Sequence, residues 1–587
     1  MRGGERMRYP ILNELKTSKT NIDIFRGYNH NLRIGDGEFY GMENLTSANY
    51  PVLSPRLKRG VYATPQNPQG LIAKDALCYV DETNFIINEY TIDLGLSTEE
   101  ANCPKQLISM GAYVIILPDK KYINTADLTD YGSIEAEVTT TSTVSFELCK
   151  VDGSLYNTPV ASPTAPESAT NMDLWIDTSS VPHTLKQYSE SGSTWISIAS
   201  TYIRITATGI GKNFNQYDGV TISGVEAENL QDLNNTMVIW DRGDDYIVVI
   251  GILDAVTTQD APLTITRKMP NMDFVIESEN RLWGCRYGTA LNGDVVNEIY
   301  ASKLGDFKNW HCYMGLSTDS YAVTVGTDGQ FTGAITHLGY PLFFKENHLH
   351  KIYGNYPANY QIQTTACRGV QKGSDRSLAI VNEVLYYKSR SAVCAYDGSL
   401  PVEISSAFGE EQYYNAVAGA NHNKYYISMK DREGKYHLFV YDAAKGLWHR
   451  EDNTQATAFC SCDGEMYFIN AKDKSIMTVN GSGTPETKSV KWMAETGVIG
   501  TDMPDKKYIS RLNIRMSLCL GTRVHVFAQY DSIGDWYPLF QMTGTTLRTF
   551  TIPVRPKRCD HMRLRFVGEG DAKIFSITKT IEQGSDD

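Results

Sequence analysis

No stretch of this 587-residue chain approaches the roughly 18 uninterrupted apolar residues of a membrane-spanning helix, so no membrane span is expected. The opening residues, Met1-Arg2-Gly3-Gly4-Glu5-Arg6, do not lead into an apolar signal core, which points to synthesis and assembly in a cytosol. Positive charge is also short. A net charge of -13 argues against general binding to nucleic acid or anionic membrane across the surface. The common phosphate and catalytic signatures are missing. There is no GxxxxGK[ST] loop, no G-x-S-x-G elbow and no H-E-x-x-H pair, and Gly209-Ile210-Gly211 has Phe214 where a dinucleotide loop needs a third glycine.

Metal-ligand spacing is equally thin. Eleven cysteines are scattered, and Cys460 and Cys462 share one strand face without a second pair nearby, so buried free thiols are expected instead of zinc. His348 and His350 also share a strand face, but no third ligand stands at suitable spacing, and packed or surface histidines are the expectation. Paired carboxylates for glycoside hydrolysis are not apparent either. Glu410 and Glu411 point to opposite faces if they lie in a strand. Ser191-Gly192-Ser193-Thr194-Trp195 is only a faint aspartate-box match, with Glu190 and Tyr188 where Asp and Ser belong; a plain hairpin turn accounts for it. No catalytic residue, cofactor or metal is expected, and the chain is expected to be no enzyme.

What the sequence has in quantity is tyrosine and glycine, 36 and 47 residues, a bias toward pleated strands and tight turns. Aromatic pairs recur at Phe343-Phe344, Tyr386-Tyr387, Tyr425-Tyr426 and Tyr467-Phe468, a period of ~42 residues. After each comes a second apolar strand running into a turn, as at Val440-Tyr441-Asp442. That period is the length of one four-stranded propeller blade. A blade cannot bury both faces alone, so repetition implies stacked neighbours.

The expected fold is all-β: a six- or seven-bladed β-propeller with inserted small β-modules and a C-terminal antiparallel β-sandwich. Residues 1–20 are expected as an N-terminal arm and 21–136 as the first part of the propeller. Residues 137–271, with the stiff tract Pro159-Val160-Ala161-Ser162-Pro163, are expected as one or two inserted modules. Residues 272–483 form the second part of the propeller and 484–587 the sandwich, where Met562-Arg563-Leu564-Arg565-Phe566 alternates apolar and charged.

Two groups of residues are candidate contact sites. Trp175, Tyr188 and Trp195 in the insert have faces that can stack on sugar rings; the other reading is that they form the module's own small core. Residues 505–567 hold eleven Lys or Arg against four acidic residues. Arg511, Arg515, Arg555, Arg558, Arg563 and Arg565 are therefore candidates for an inter-subunit basic surface, with an ordinary solvated face as the alternative.

Asn280-Arg281-Leu282-Trp283-Gly284, with Glu298-Ile299-Tyr300-Ala301-Ser302 and Asp306-Phe307-Lys308-Asn309-Trp310, resembles the propeller segment of bacteriophage tail hub, nozzle or stabilization proteins. Tyr530-Asp531-Ser532 with Trp536, followed by Pro556-Lys557-Arg558-Cys559-Asp560-His561, is similar to the ending of phage tail structural proteins. The Trp175 to Trp195 stretch resembles a small module of tail and baseplate proteins. The resemblance implies a structural virion protein, assembled in the bacterial host cytoplasm, that forms an oligomeric ring around the DNA channel. Its implied partners are copies of itself, other tail proteins and passing DNA bound without sequence specificity. The alternative is a tail-tip protein that binds cell-surface glycan through the insert.

Overall fold

The computed structural model describes residues 16–100, 104–157, 159–290, 293–554 and 557–584. The fold is all-β, with propeller blades, inserted β-modules and an antiparallel sandwich, and among the described residues helix is limited to short 3-10 turns such as Glu228–Leu233. The chain divides into two compact units, Glu82–Ala366 and the combination of Met1–Asp81 with Cys367–Asp587.

Within Glu82–Ala366, three four-stranded blades are meanders whose strands pair in chain order. The first begins at Gln106–Met110, the second at Phe274–Ser278 and the third at Phe331–His337. Apolar residues from neighbouring blades interlock. Trp283, Cys285 and Ile299 of the second blade pack with Phe331, Phe343 and Ile352 of the third. The motif carrying the phage resemblance is largely buried: Trp283 and Trp310 are both 2% exposed. Arg281 is as deeply buried, and its guanidinium donates to the carbonyls of Ser302 (2.8 Å), Ser317 (2.8 Å) and Asp319 (2.5 Å), fastening an irregular connection between two strands. Such a connection carries polar backbone groups that need partners once buried, and one planar five-donor side chain supplies them.

The same unit contains nested insertions. Ala136–Thr139 pairs with Thr264–Arg267, and Val144–Cys149 pairs with Tyr202–Thr206, so everything between lies inside successive hairpins. Two sheets bury a shared core of Val144, Phe146, Val220, Ile222, Ile247 and Ile265. A smaller sheet is inserted in turn, built from Val160–Ser162, Leu174–Asp177, Thr184–Ser189 and Thr194–Ser197.

Within the other unit, two blades are again meanders, starting at Ala379–Val381 and Tyr414–Asn421. The third takes Ala456–Cys462, Glu465–Asn470 and Ile476–Thr478 and is completed by Gly60–Ala63 from far upstream. The recurrent aromatic pairs now have a physical reason. They sit in second strands, where successive side chains face opposite ways, so each pair serves two interfaces. Tyr425 stacks on Tyr386 of the preceding blade at 5.4 Å, while Tyr426 packs with Met466 and Phe468 of the following one. Each buried ring contributes about 2–3 kcal/mol of transfer free energy.

The sandwich consists of a four-stranded and a six-stranded sheet over one core that includes Leu512, Ile514, Val526, Leu564 and Phe566. It also recruits the start of the chain, which corrects the expected boundaries. Thr17–Ile22, placed in an arm, pairs with Ala572–Gln583, and Glu38–Glu43, placed in the propeller, pairs with Lys491–Thr496. A period-two strand can complete any sheet edge of matching polarity, and the local pattern does not say which. The first fifteen residues of the expected arm lie outside the described residues.

Candidate functional site

Two concave surfaces and the sandwich arginines stand out, each within a single unit. The first concavity is in the small inserted module. Its register sets Trp175 opposite Lys186 and Tyr188 opposite Trp195. The indole of Trp195 meets Trp175 edge-on at 5.4 Å and Tyr188 at 5.3 Å. Trp175 is buried, donates Nε1–H to the Ser162 carbonyl at 2.9 Å and carries Lys186 Nζ over its ring at 4.8 Å. The same ammonium is 2.7 Å from Asp177, and it, followed by the Ser179 hydroxyl, holds the Asp177 carboxyl down at about 2. Trp175 is therefore core, and its sugar-stacking reading is corrected: a ring only 6% exposed, with a cation over it and another indole against it, offers no free face.

Trp195 belongs instead to a groove of about 550 Å³, lined also by Lys150, Tyr156, Asn157, Asp173 and Gln187. Met172 and Val160, 63% and 55% exposed, stand at the same groove. Tyr188 is half-buried and does not line it. Sequence reasoning thus found one of the groove's rings and missed Tyr156, Asn157 and Gln187, which are brought together only by the hairpin into which the module is inserted. Ser191–Trp195 is the turn entering the last strand of this sheet, with Ser193 at φ 44°.

The second concavity, about 570 Å³, is lined by Tyr28, His30, Tyr40, Glu411, Asp431 and His437, with Arg450 at its wall. His437 Nε2 lies 2.7 Å from Asp431 and Arg450 Nε donates to His437 Nδ1 at 3.2 Å. Because arginine can only donate, Nδ1 is the acceptor and Nε2 carries the proton. Burial lowers the His437 pKa, so the ring is neutral at pH 7. Burial likewise raises the hydroxyls of Tyr28 and Tyr413 well above their ordinary value. The His30 and Tyr40 rings stack at 4.0 Å. The cleft offers donors, acceptors and a flat ring pair, a surface suited to a polar ligand. Of the two glutamates considered from sequence, Glu411 lines it.

The six arginines do not share one surface. Arg511 and Arg515 project from the outer face of the four-stranded sheet. Arg563 and Arg565 project from the six-stranded sheet, where both reach Glu495, at 3.4 and 2.7 Å, and lie over Tyr40 and Trp536. Arg558 is exposed but not without partners, and Arg555 lies outside the described residues. The charge run is thus divided between two faces and partly neutralised.

His350 is fully buried between two hydroxyls, Thr327 Oγ1 and Thr364 Oγ1, both at 2.9 Å, and burial pushes its pKa down to about 4. Among the described residues no cluster of three or more His, Cys, Asp or Glu is arranged to hold a metal ion.

Neither a family model nor a curated protein matches the chain. Solved structures do, at low likeness. One is an exo-β-1,3-galactanase from Phanerochaete chrysosporium with galactose, at 7% identity and TM-score 0.21, covering 52% of this chain and 94% of that one. Another is an engineered GH43 glycoside hydrolase with endo-xylanase and exo-arabinofuranosidase activity, at 8% and 0.20, covering 52% and 96%. A third is an acylaminoacyl peptidase from Pyrococcus horikoshii, at 9% and 0.24, covering 53% and 55%. These proteins are enzymes, glycoside hydrolases among them, so the expectation that the chain is no enzyme is withdrawn. At such scores no residue role passes from them to this chain.

Proposed function

We propose that the chain is a structural protein of a bacteriophage tail that assembles as an oligomeric hub or nozzle ring around the DNA channel. The observation that carries this reading is the use made of the residues that carry the resemblance. Arg281 fastens its blade to the connection that follows, while Trp283 and Trp310 pack that blade against its neighbours, which is how a stiff frame is built. An acidic chain also suits a conduit, because each avoided phosphate contact removes a counterion-release gain and leaves DNA free to slide. The test is composition and imaging of purified virions. The chain is expected in several copies per particle, as a ring at the distal end of the tail. Particles that lack it, together with a strictly monomeric chain that binds no virion component, would remove the proposal.

A second reading is favoured by the module groove. It takes a cell-surface glycan, stacked on Trp195 and hydrogen-bonded by Asn157 and Gln187. Loss of a stacking indole costs about 2 kcal/mol, so Trp195→Ala in the full chain is expected to weaken glycan-array binding roughly 30-fold. Equal binding by the variant and the wild type would exclude the groove.

A further inference from the structure

Lys345 ends the second strand of the third blade in Glu82–Ala366 and is 2% exposed. Its Nζ has two hydrogen-bond acceptors, both uncharged: Asn297 Oδ1 at 2.9 Å and the Thr327 carbonyl at 2.7 Å. The rings of Phe331 and Tyr287 enclose it at 4.7 and 5.2 Å. An ammonium buried among rings and neutral oxygens is costly unless it is paired, and burial accordingly lowers its pKa.

Asn297, on the neighbouring blade, is oriented with equal definition. Its Nδ2 donates to the carbonyls of Val325 (2.8 Å) and Thr327 (2.6 Å), so Oδ1, and with it the carboxamide carbon, is turned toward Lys345. A nucleophile and an acyl carbon are therefore held side by side in a water-poor pocket, the arrangement that favours slow intramolecular chemistry.

We propose that Lys345 and Asn297 form an intramolecular isopeptide bond between adjacent blades. Nζ gives up one proton to become the amine, forms the new bond to the Asn297 carboxamide carbon and passes a second proton to Nδ2; the carbon–Nδ2 bond breaks, and the departing ammonia carries off both protons as ammonium. No electron donor or acceptor is involved. The product removes the buried charge and staples strand Val295–Ala301 to strand Tyr340–Lys345. This bond is independent of the proposed tail role.

Mass spectrometry of the purified full chain tests it. The expected result is a mass about 17 Da below that of the sequence, with one branched peptide joining the Asn297 and Lys345 segments after digestion. Asn297→Ala should return to the full mass of its own sequence. Recovery of the two segments as separate, unmodified peptides would overturn the proposal and leave Lys345 as a cation held by its rings. So would a mass deficit that persists in Asn297→Ala, because the loss would then arise elsewhere.

Discussion

Arg59→Ala is expected to destabilise the unit formed by Met1–Asp81 and Cys367–Asp587 by about 3–5 kcal/mol, a fall of roughly 10 °C in its unfolding midpoint. Arg59 adjoins the strand Gly60–Ala63, which completes the blade of 456–478. Its guanidinium, 4% exposed, lies 2.7 Å from Glu451 and 2.9 Å from Asp452, donates to Thr454 Oγ1 at 2.7 Å and sits over the Phe468 ring at 5.2 Å. Arg56 adds contacts to Asp452 and Glu486 at 3.7 and 3.3 Å. Removing Arg59 strands two acidic groups in the interior and loosens the strand that closes the blade.

The pH dependence gives the prediction its sign. Burial pushes the Asp452 carboxyl up, but Arg59, Thr454 and Arg56 together pull harder, and its pKa stands below the ordinary value. A group depressed in the folded state contributes stability above its unfolded pKa of about 4, and loses it as pH falls through the folded value. In Arg59→Ala the largest opposing pull is gone and burial weighs more heavily, so protonation relieves the variant. Denaturant titrations at pH 7 and pH 3 should show the gap between wild type and variant narrowing in acid. A gap unchanged over that range would mean that Arg59 acts through packing on Phe468 and not through its charge.

Arg267→Ala is expected to cost Glu82–Ala366 a similar 3–5 kcal/mol. Arg267 Nη1 meets Asp218 at 2.5 Å, with side chains 5% and 1% exposed, and its other nitrogens donate to the Ile134 carbonyl. The guanidinium therefore ties the strand leaving the insert to the chain entering it. Replacing both partners by neutral residues removes the uncompensated charge, so Arg267→Met with Asp218→Asn should recover more than half of the loss. A double variant no more stable than Arg267→Ala would show that the guanidinium matters for its carbonyl bonds. Unfolding followed by calorimetry, with protease susceptibility of the 136–267 segment, reads both variants.

The legible part of the chain is local. Most blades pair their strands in chain order, so the aromatic pair at Tyr386-Tyr387 lies within about ten residues of the strand it hydrogen-bonds to. The groove at Trp195 was half legible. An aromatic cluster is visible in sequence, but Trp175 and Trp195 look alike until the fold buries one and leaves the other beside Tyr156. The arginine cluster was misleading for a related reason: alternation within a strand says which residues face outward, not which sheet the strand joins.

The sequence by itself determined the all-β class, the blade period, the modular insertion and the alternating faces of the sandwich. All of these follow from side-chain direction and turn chemistry over a few residues. Only the tertiary structure decided that Gly60–Ala63 completes a blade more than four hundred residues away, that Thr17–Ile22 joins the last strand of the sandwich, and that Lys345 rests on Asn297. Such contacts depend on which exposed edges and buried charges find complements after the local sheets have formed, and no short window of sequence carries that information.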